Sequence, residues 1–217
     1  MSLIIGMISQ KGGVGKSTLA RLIAREYAAA GWNVKIADLD VSQGTSFNWQ
    51  ARRLRASVNP PIAVERFGSA EAALRVASAY DLLILDGPPH STSGTLRIAD
   101  ASDLVVLPTG LSVDDLEPSV LLAHELVKAK IQQNRIAFAL CRVGDSDAEL
   151  DEARRYIRNA GYHVLDAMLP EKTGFRRASD EGLALTETRF GTLNRRADQM
   201  AQAVVNRIAE IKKQEAA

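Results

Sequence analysis

The chain has 217 residues, of which 46% are hydrophobic, so it can bury one core without disulfides or a structural metal, and we expect a single domain over residues 1–217. Its 27 basic residues nearly balance 26 acidic ones, so nucleic-acid binding would require local clusters of positive charge. The single cysteine, Cys141, excludes a disulfide framework and predicts a buried thiol in a reducing cytoplasm. No segment has the pattern of a signal peptide or a membrane-spanning helix.

Short apolar runs alternate along the chain with longer segments of helical periodicity. The runs at 82–85 and 104–107 lack the polar alternation of a strand with one wet face, which indicates strands covered on both faces. The pattern predicts an α/β fold: a single-domain, doubly wound, mainly parallel sheet with helices on both faces. Ligands should then bind at the carboxyl ends of the strands. The seven predicted strands span residues 3–8, 34–37, 62–64, 82–85, 104–107, 136–141 and 164–168.

A glycine-rich segment, QKGGVGKST at residues 10–18, follows the first predicted strand and precedes a helical stretch. Its glycines let the backbone curl with N–H groups pointing inward, and the helix adds its positive N-terminal end, an arrangement that binds phosphate. In such P-loop NTPases the lysine, here Lys16, contacts the β- and γ-phosphates, and the hydroxyl, here Ser17, binds Mg²⁺. The predicted nucleotide-binding residues are Gly12, Gly13, Val14, Gly15, Lys16, Ser17 and Thr18.

The segment departs from the usual pattern G-x-x-x-x-G-K-[ST] at its first position. Gln10 stands in place of the first glycine, and a second lysine, Lys11, follows it. The sequence resembles the deviant phosphate loop, K-G-G-x-x-K-[ST], of the ParA/MinD family of ATPases, which belong to the SIMIBI class of P-loop NTPases. The resemblance implies that Lys11 crosses a dimer interface to the partner's nucleotide.

Two carboxylates, Asp38 and Asp40, follow the second predicted strand at the sheet edge that carries the phosphate loop. By resemblance to the family, Asp38 assists Mg²⁺ and Asp40 positions the attacking water. The resemblance therefore implies three catalytic residues, Lys11, Lys16 and Asp40. Family members commonly continue with Pro-Gln after the second aspartate, whereas this chain continues with VSQ.

The segment YDLLILDGPP, residues 80–89, is an apolar strand that ends in an acid and a sharp turn, the layout of a Walker B segment. Asp86 would hold Mg²⁺ through water, so the predicted metal site comprises Ser17, Asp38 and Asp86. Gly87 could present its N–H to the γ-phosphate. The next residue, His90, is assigned no role.

Residues 107–116 again follow a buried strand and resemble the proline-containing segment that lines the family's dimer face. Ser112 and Asp115 equally fit the capping chemistry of the next helix, so both interpretations stay open. The chain has no Asn-Lys-x-Asp segment of the kind that recognises guanine, which favours ATP. The strand end at 141–142 and the loop at 169–170 are suggested for adenine contacts.

Basic residues cluster at 52–55 and in the C-terminal helix, where residues 189–213 contain six Lys or Arg against two acids. The apolar residues of this helix form one stripe, and Arg196 and Arg207, eleven residues apart, are predicted to face water beside it. The charge indicates either a solvated surface or sequence-independent DNA binding. No aromatic residue follows Phe190, which argues against a membrane-inserting helix. The DNA-binding candidates are Arg195, Arg196, Arg207, Lys212 and Lys213.

The resemblance implies a short ParA-type partition ATPase without an N-terminal DNA-binding domain, using ATP and Mg²⁺. Its ATP-bound sandwich dimer would bind nonspecific DNA of the nucleoid, in the cytoplasm and without a membrane partner. Hydrolysis stimulated by a ParB-type centromere-binding protein would release it, segregating a plasmid or chromosome. The alternatives are a MinD-like or other cargo-positioning ATPase and a small-molecule ligase of the dethiobiotin synthetase type. A bacterial tyrosine kinase would need a tyrosine-rich tail, and an iron–sulfur carrier would need more cysteines.

Overall fold

The computed structural model describes residues 2–89 and 93–216, so His90 lies outside the described residues. Seven strands form one sheet in the order β3-β2-β4-β1-β5-β6-β7, and every pairing between neighbours is parallel. All seven predicted strands are therefore confirmed, and the sheet is wholly rather than mainly parallel. The strands are β1 Leu3–Met7, β2 Val34–Asp38, β3 Ala63–Arg66, β4 Leu82–Asp86, β5 Leu104–Thr109, β6 Ile136–Val143 and β7 His163–Pro170.

Helices connect successive strands and cover both faces of the sheet. In β4, Leu82 and Ile84 pack into one core layer, whereas Leu83 and Leu85 pack into the other, which explains why the run is apolar throughout. The first layer lies under α1, α2, α7 and α8, and the second lies under α3 to α6. The helices are α1 Lys16–Ala29, α2 Thr45–Arg55, α3 Ala70–Leu74, α4 Ser93–Ala101, α5 Val113–Lys128, α6 Asp147–Asn159, α7 Thr173–Asp180 and α8 Gly191–Glu215, with short 3-10 turns at Ala77–Ala79, Gln133–Arg135 and Leu185–Glu187.

The first strand, β1, lies in the middle of the sheet between β4 and β5. The chain therefore winds outward from β1 in both directions, and a crevice opens at the carboxyl ends of the strands where the winding reverses. The segments that follow β1, β2, β4 and β5 meet at this edge. These are the segments for which the sequence predicts residues that bind phosphate, bind the metal ion or line the dimer interface.

The first core layer includes Cys141, for which the sequence predicts burial, and the indole of Trp49. Cys141 in β6 is 3% exposed, so its predicted burial is confirmed, and Trp49 in α2 is fully buried. Burial raises the pKa of the Cys141 thiol to about 12, so this residue is an inert core side chain. Across residues 2–89 and 93–216, no helix combines the length and hydropathy needed to span a membrane.

The C-terminal helix α8 packs against β7 through its apolar stripe. Ala197, Met200 and Val204 are fully buried, as the sequence predicts. The prediction that Arg207 faces water is wrong, because this side chain is 8% exposed.

The Arg207 guanidinium donates hydrogen bonds to the backbone carbonyl of Asn134 and, at 2.9 Å, to the Glu210 carboxylate. The turn before β6 therefore lies over the helix at this point. The eleven-residue spacing predicts the azimuth of Arg207 on its helix, but it contains no information about which distant segment covers that azimuth. Arg196, near the N-terminal end of the helix, is exposed as predicted, and its neighbour Arg195 is exposed as well.

Candidate nucleotide-binding site

The phosphate loop connects β1 to α1 and uses glycines where the backbone requires them. Gly13 and Gly15 have φ angles of 76° and 115°, in the left-handed region that favours glycine. A Cβ on Gly15 would also lie 3.3 Å from the Cys141 sulfur. Gly15 is the N-cap of α1, so no side chain caps the first N–H groups of that helix. They are available to an anion.

Lys16 is the first residue of α1, and its side chain folds back into the loop. Its Nζ donates to the hydroxyl of Ser9 and to the carbonyl of Lys11, both at 3.0 Å. The side chain is buried, and this burial lowers the pKa of Lys16, while the charges of Asp86 and Asp40 act in the opposite direction. The loop thus holds an ammonium group against weak, neutral acceptors, which phosphate oxygens could replace.

The second loop lysine, Lys11, turns away from the phosphate cleft. Its Nζ lies 2.9 Å from Oδ1 of Asp115, in the first turn of α5, and the two side chains are 40% and 25% exposed. The sequence left open whether Ser112 and Asp115 cap this helix. Ser112 is at the N-cap position but its side chain makes no capping hydrogen bond, and Asp115 pairs with Lys11 instead.

The predicted metal-binding carboxylates are adjacent across two neighbouring strands. Asp38 ends β2, Asp86 ends β4, and the two are paired in the register of the sheet. Asp38 is buried and accepts backbone N–H bonds from Phe47 at 3.0 Å and Asp40 at 3.2 Å. Burial raises the pKa of Asp38, and these hydrogen bonds oppose the shift.

Asp86 is 2% exposed, and its two carboxylate oxygens have different surroundings. Oδ2 accepts a hydrogen bond from the Ser46 hydroxyl at 2.7 Å, whereas Oδ1 is buried without a hydrogen-bond partner among the described residues. Burial raises the pKa of Asp86 to about 6, opposed by the hydrogen bond from Ser46 and by the nearby Ser17 hydroxyl. A buried carboxylate oxygen without a partner among the described residues, beside the Ser17 hydroxyl, can serve as a ligand for a cation.

The donor set fits Mg²⁺ bound together with a nucleotide. In the part of the chain that the structure describes, no group of three or more His, Cys, Asp or Glu could enclose a metal ion. Mg²⁺ does not need such a group, because it keeps several waters and is usually bound by one or two carboxylates plus substrate phosphates. Ser17 and Asp86, with Asp38 beside them, would supply the protein's share.

Asp40 lies in the loop between β2 and α2, where the sequence departs from the family pattern. Its Oδ1 accepts hydrogen bonds from the Ser42 hydroxyl at 2.7 Å and the Gln43 N–H at 3.1 Å, so the carboxylate also organises its own turn. A cleft of about 170 Å³ brings Asp40 together with the phosphate loop and Gly87. The predicted phosphate, water-positioning and γ-phosphate-sensing residues therefore share one cleft.

A second cleft, of about 370 Å³, adjoins the phosphate loop on the side of β6 and α7. Gly13, Gly15 and Thr18 line it from the loop. The residues suggested for adenine contacts line its opposite wall, so the structure places them next to the phosphate cleft. Those wall residues are Cys141, Arg142, Leu169 and Pro170, joined by Phe175, Arg176 and Ser179 of α7.

Two polar residues of this region were not predicted from the sequence. Ser46 holds Asp86, and Arg21 of α1 donates through Nε to the Ser46 hydroxyl at 3.4 Å and through Nη1 to the Ser179 hydroxyl at 2.9 Å. The arginine is 5% exposed and lies over the Trp49 ring, 5.6 Å from its centroid. A charged residue among the apolar positions of α1 is the signal that could have identified Arg21.

A family model described as the CobQ/CobB/MinD/ParA nucleotide binding domain matches residues 5–185. The chain belongs to this family. The match includes the phosphate loop, the three aspartates and α7, and it ends before α8. Membership confirms the resemblance to ParA/MinD ATPases on which the sequence-based predictions rest.

Two curated relatives and one solved structure illustrate the range of the family. The maintenance of carboxysome distribution protein A of Gloeobacter kilaueensis is 31% identical over 188 residues, covering 86% of this chain and 85% of that protein. The chromosome-partitioning ATPase Soj of Thermus thermophilus is 32% identical over 132 residues, covering 48% of this chain and 53% of that protein. The septum site-determining protein MinD of Pyrococcus horikoshii, solved with Mg-ADP, has a TM-score of 0.76 at 18% identity, covering 94% of this chain and 96% of that one.

The structural likeness confirms the predicted fold, a doubly wound P-loop NTPase. The cofactor prediction, a nucleotide with Mg²⁺, agrees with the family's description and with the Mg-ADP of the Pyrococcus protein. The individual roles predicted for Lys11, Lys16, Ser17, Asp38, Asp40 and Asp86 stay predictions.

Proposed function

We propose that this chain is an ATP-dependent ParA-type ATPase, which binds nonspecific DNA as an ATP-bound dimer and leaves it after hydrolysis. The observation that carries the proposal is the position of Lys11, the additional lysine of the phosphate loop. Lys16 lies inside the phosphate loop, whereas Lys11 holds its ammonium outside it against Asp115 and does not line the phosphate cleft. A monomeric ATPase needs only Lys16 in its phosphate loop, so Lys11 is available to a partner's nucleotide.

Each of the predicted catalytic and metal-binding residues has a role in this proposal. Lys16 exchanges its loop acceptors for β- and γ-phosphate oxygens, and Asp40 orients the attacking water. Ser17 and Asp86 hold Mg²⁺, with Asp38 beside them. Mg²⁺ bound there neutralises charge that develops on the phosphate oxygens. Gly87 does not present its backbone N–H to the γ-phosphate as the sequence predicts, because this N–H donates to the Met7 carbonyl at 2.9 Å.

The proposed DNA-binding surface lies at the beginning of α8, because Arg207 is buried and cannot contribute. Arg195 and Arg196 are exposed there, Arg189 precedes them, and Arg177 of α7 shares a cleft with Arg189. None of these four arginines forms an ion pair with another described residue. Unpaired surface cations are free to contact phosphates.

The remaining DNA-binding candidates, Lys212 and Lys213, lie near the other end of the helix. At the α-helical rise they are roughly 24 Å from Arg196, so the two sets form separate patches. A double substitution in each patch can therefore assign the DNA contact to one end.

The experiment that tests the function is binding to random-sequence duplex DNA with ATP, with ADP and without nucleotide, at two salt concentrations. We expect binding in ATP alone and weaker binding at high salt, with log K falling by about 0.9 per phosphate contact for each unit of log salt. Arg195→Ala with Arg196→Ala should weaken binding and flatten this slope, while Lys212→Ala with Lys213→Ala serves as the matched control. Absence of DNA binding in every nucleotide state would reject the proposal.

A cargo-positioning ATPase is the second candidate function, and one observation favours it. The relative named for carboxysome distribution matches 86% of this chain, whereas the chromosome-partitioning relative matches 48%. The same nucleotide-switched DNA binding would then move a protein body instead of a plasmid or chromosome on the nucleoid. A ParB-type centromere-binding partner that stimulates ATPase activity distinguishes the partition function, and stimulation by a cargo protein without centromere binding distinguishes the second.

A further inference from the structure

We propose that Ser46 and Arg21 are positioning residues that fix the Asp86 carboxylate for Mg²⁺ and connect it to α7 at the wall of the second cleft. The proposal rests on the proposed binding of ATP with Mg²⁺. It concerns residues of four elements, β4, α1, α2 and α7, that the sequence gives no reason to connect. We call the chain of hydrogen bonds Ser179–Arg21–Ser46–Asp86 the relay.

The first step of the relay determines which oxygen of Asp86 is free. Ser46 donates to Oδ2 at 2.7 Å, and Oδ1 is left without a partner among the described residues. A carboxylate held by one oxygen cannot rotate freely, so its other oxygen keeps a fixed direction. Hydrogen bonds to the outer side of a metal ligand orient that ligand in this way.

The second step determines the direction of the Ser46 hydroxyl. A hydroxyl has a single proton to donate but can also accept. Because Arg21 Nε donates to the Ser46 oxygen at 3.4 Å, the hydroxyl proton is left for Asp86. Ser46 is fully buried, so no solvent water competes for that proton.

The third step connects the metal ligand to the second cleft. Arg21 Nη1 donates to the Ser179 hydroxyl at 2.9 Å, and Ser179 lines the cleft that adjoins the phosphate loop. The guanidinium is also held over the face of Trp49. Its Nη2 is buried and lacks a partner within the described part of the chain, so the protein holds this cation with fewer hydrogen bonds than it can make. A shift of α7 when the cleft is filled would therefore be transmitted to Asp86.

The test measures the Mg²⁺ dependence of nucleotide binding, using a fluorescent ATP analogue titrated with Mg²⁺ and, separately, in EDTA. Ser46→Ala should raise the Mg²⁺ concentration for half-maximal binding by about 10-fold, the lower end for outer-shell partners of metal ligands. Affinity in EDTA should be unchanged. Ser102→Ala is the matched control, since it removes a buried hydroxyl that bonds to the Ile98 carbonyl and lines neither of the two clefts.

Two further variants examine the rest of the relay. Arg21→Met keeps an unbranched side chain on Trp49 and should raise the Mg²⁺ requirement as Ser46→Ala does. Ser179→Ala removes only the hydrogen bond between Arg21 and α7, so it should also raise the Mg²⁺ requirement, but by a smaller factor. Ser179 is half-buried, so we expect Ser179→Ala to fold. This variant keeps the relay testable if Ser46→Ala does not fold.

Three results would overturn the proposal. An equal loss of affinity with and without Mg²⁺ would make Ser46 a general structural residue, and an unchanged Mg²⁺ requirement in all three variants would separate the relay from the metal. If the unsubstituted chain showed no Mg²⁺-dependent ATP binding, the proposed function itself would fail, and the relay with it.

Discussion

Two buried arginines, Arg21 and Arg53, lie over the ring of Trp49, and their surroundings differ. Arg53 lies 5.4 Å from the ring centroid and donates to both oxygens of the Glu187 carboxylate, at 2.6 and 2.9 Å, and to the carbonyls of Pro60 and Gly182. Arg21, at 5.6 Å, donates to two hydroxyls, and its Nη2 has no partner within residues 2–89 and 93–216. Of these two arginines, Arg53 has its hydrogen-bonding capacity satisfied, whereas Arg21 does not among the described residues.

The difference separates a structural region from a ligand-binding one. Glu187 also binds Arg25 of α1 at 3.2 Å, so the Arg53 side joins α1, α2 and the 3-10 turn before α8 by contacts that the chain supplies itself. The contacts of Arg21 lead through Ser46 to Asp86, which also carries a buried oxygen without a partner among the described residues. Buried polar groups without partners carry a free-energy cost, which a bound nucleotide and cation can remove.

Substitution of Arg53 should give the largest effect and should fall on stability alone. Arg53→Ala leaves the Glu187 carboxylate buried without its main partner, so we expect the free energy of unfolding to fall by about 3–5 kcal/mol. Urea denaturation measures this loss. Arg55→Ala, on the exposed face of the same helix, should change stability by less than about 0.5 kcal/mol. ATP affinity of the folded Arg53 variant should be unchanged, and a loss there would erase the distinction between the roles of Arg53 and Arg21.

The Arg53 effect should also depend on pH. Burial alone would raise the pKa of Glu187, but the Arg53 guanidinium and the Ala184 N–H hold it below its ordinary value of 4.5. A carboxylate with a lowered pKa stabilises the fold above its unfolded-state pKa and loses that contribution as the pH falls through the folded-state value. The difference between wild type and Arg53→Ala should therefore be full at pH 6 and shrink below pH 4.5.

Substitution of Lys16 should affect ligand binding rather than stability. Lys16→Ala removes a buried cation from the phosphates, a change that costs about 2–5 kcal/mol of binding, or at least about 30-fold in ATP affinity. The free protein should lose no stability, because burial already disfavours the charged ammonium. Calorimetric titration measures the ATP affinity, and thermal unfolding without ATP measures the stability. Lys128→Ala, on the exposed face of α5, is the control. Unchanged ATP affinity would contradict the assignment of Lys16.

Substitution of Asp40 should separate binding from turnover within the ligand-binding region. Asp40→Ala should lower the ATPase rate at least about 100-fold, since it removes the group that orients water, while ATP-dependent dimerisation persists. Asp40→Asn is the informative companion, because the amide oxygen can still accept the Ser42 and Gln43 hydrogen bonds that shape the turn. A variant that is monomeric in ATP by light scattering would show that Asp40 organises the dimer instead.

The features that the sequence predicted have local physical causes. A positive φ angle at Gly13 and Gly15 requires glycine whatever surrounds them, and a strand covered on both faces requires an apolar run such as that of β4. Asp86 was found because an acid directly follows that run. Each of these inferences needs only a few consecutive residues.

The features that the sequence did not predict depend on segments that meet in space. The Ser46 contact to Asp86 spans 40 residues, and the Arg21 contact to Ser179 spans 158. Arg207 is the instructive error, because its azimuth on α8 follows from helical periodicity while its burial depends on the turn that contains Asn134. Helical periodicity describes the faces of a single helix, whereas the burial of a side chain also depends on the segment that packs against that face.

The smallest predicted effect concerns the ion pair between Lys11 and Asp115. This pair holds the lysine that, in the proposed dimer, reaches the partner's nucleotide. Partly exposed ion pairs of this kind contribute about 0.2–1 kcal/mol, so the contact can hold Lys11 without trapping it. If Lys11 must leave Asp115 to reach a partner's nucleotide, Asp115→Asn removes the competing charge. Because each of the two protomers releases one such pair, ATP-dependent dimerisation should then strengthen by up to about 30-fold, the equivalent of about 2 kcal/mol.

Light scattering over a range of protein concentrations in ATP measures the dimer affinity of this variant. Asp114→Asn is the matched control, because Asp114 lies in the same helical turn, is exposed, and forms no ion pair with the described residues. A weaker dimer in Asp115→Asn would mean that Asp115 itself supports the interface. An unchanged dimer would mean that Lys11 does not leave Asp115 on dimerisation, and the argument that assigns Lys11 to a partner's nucleotide would fail.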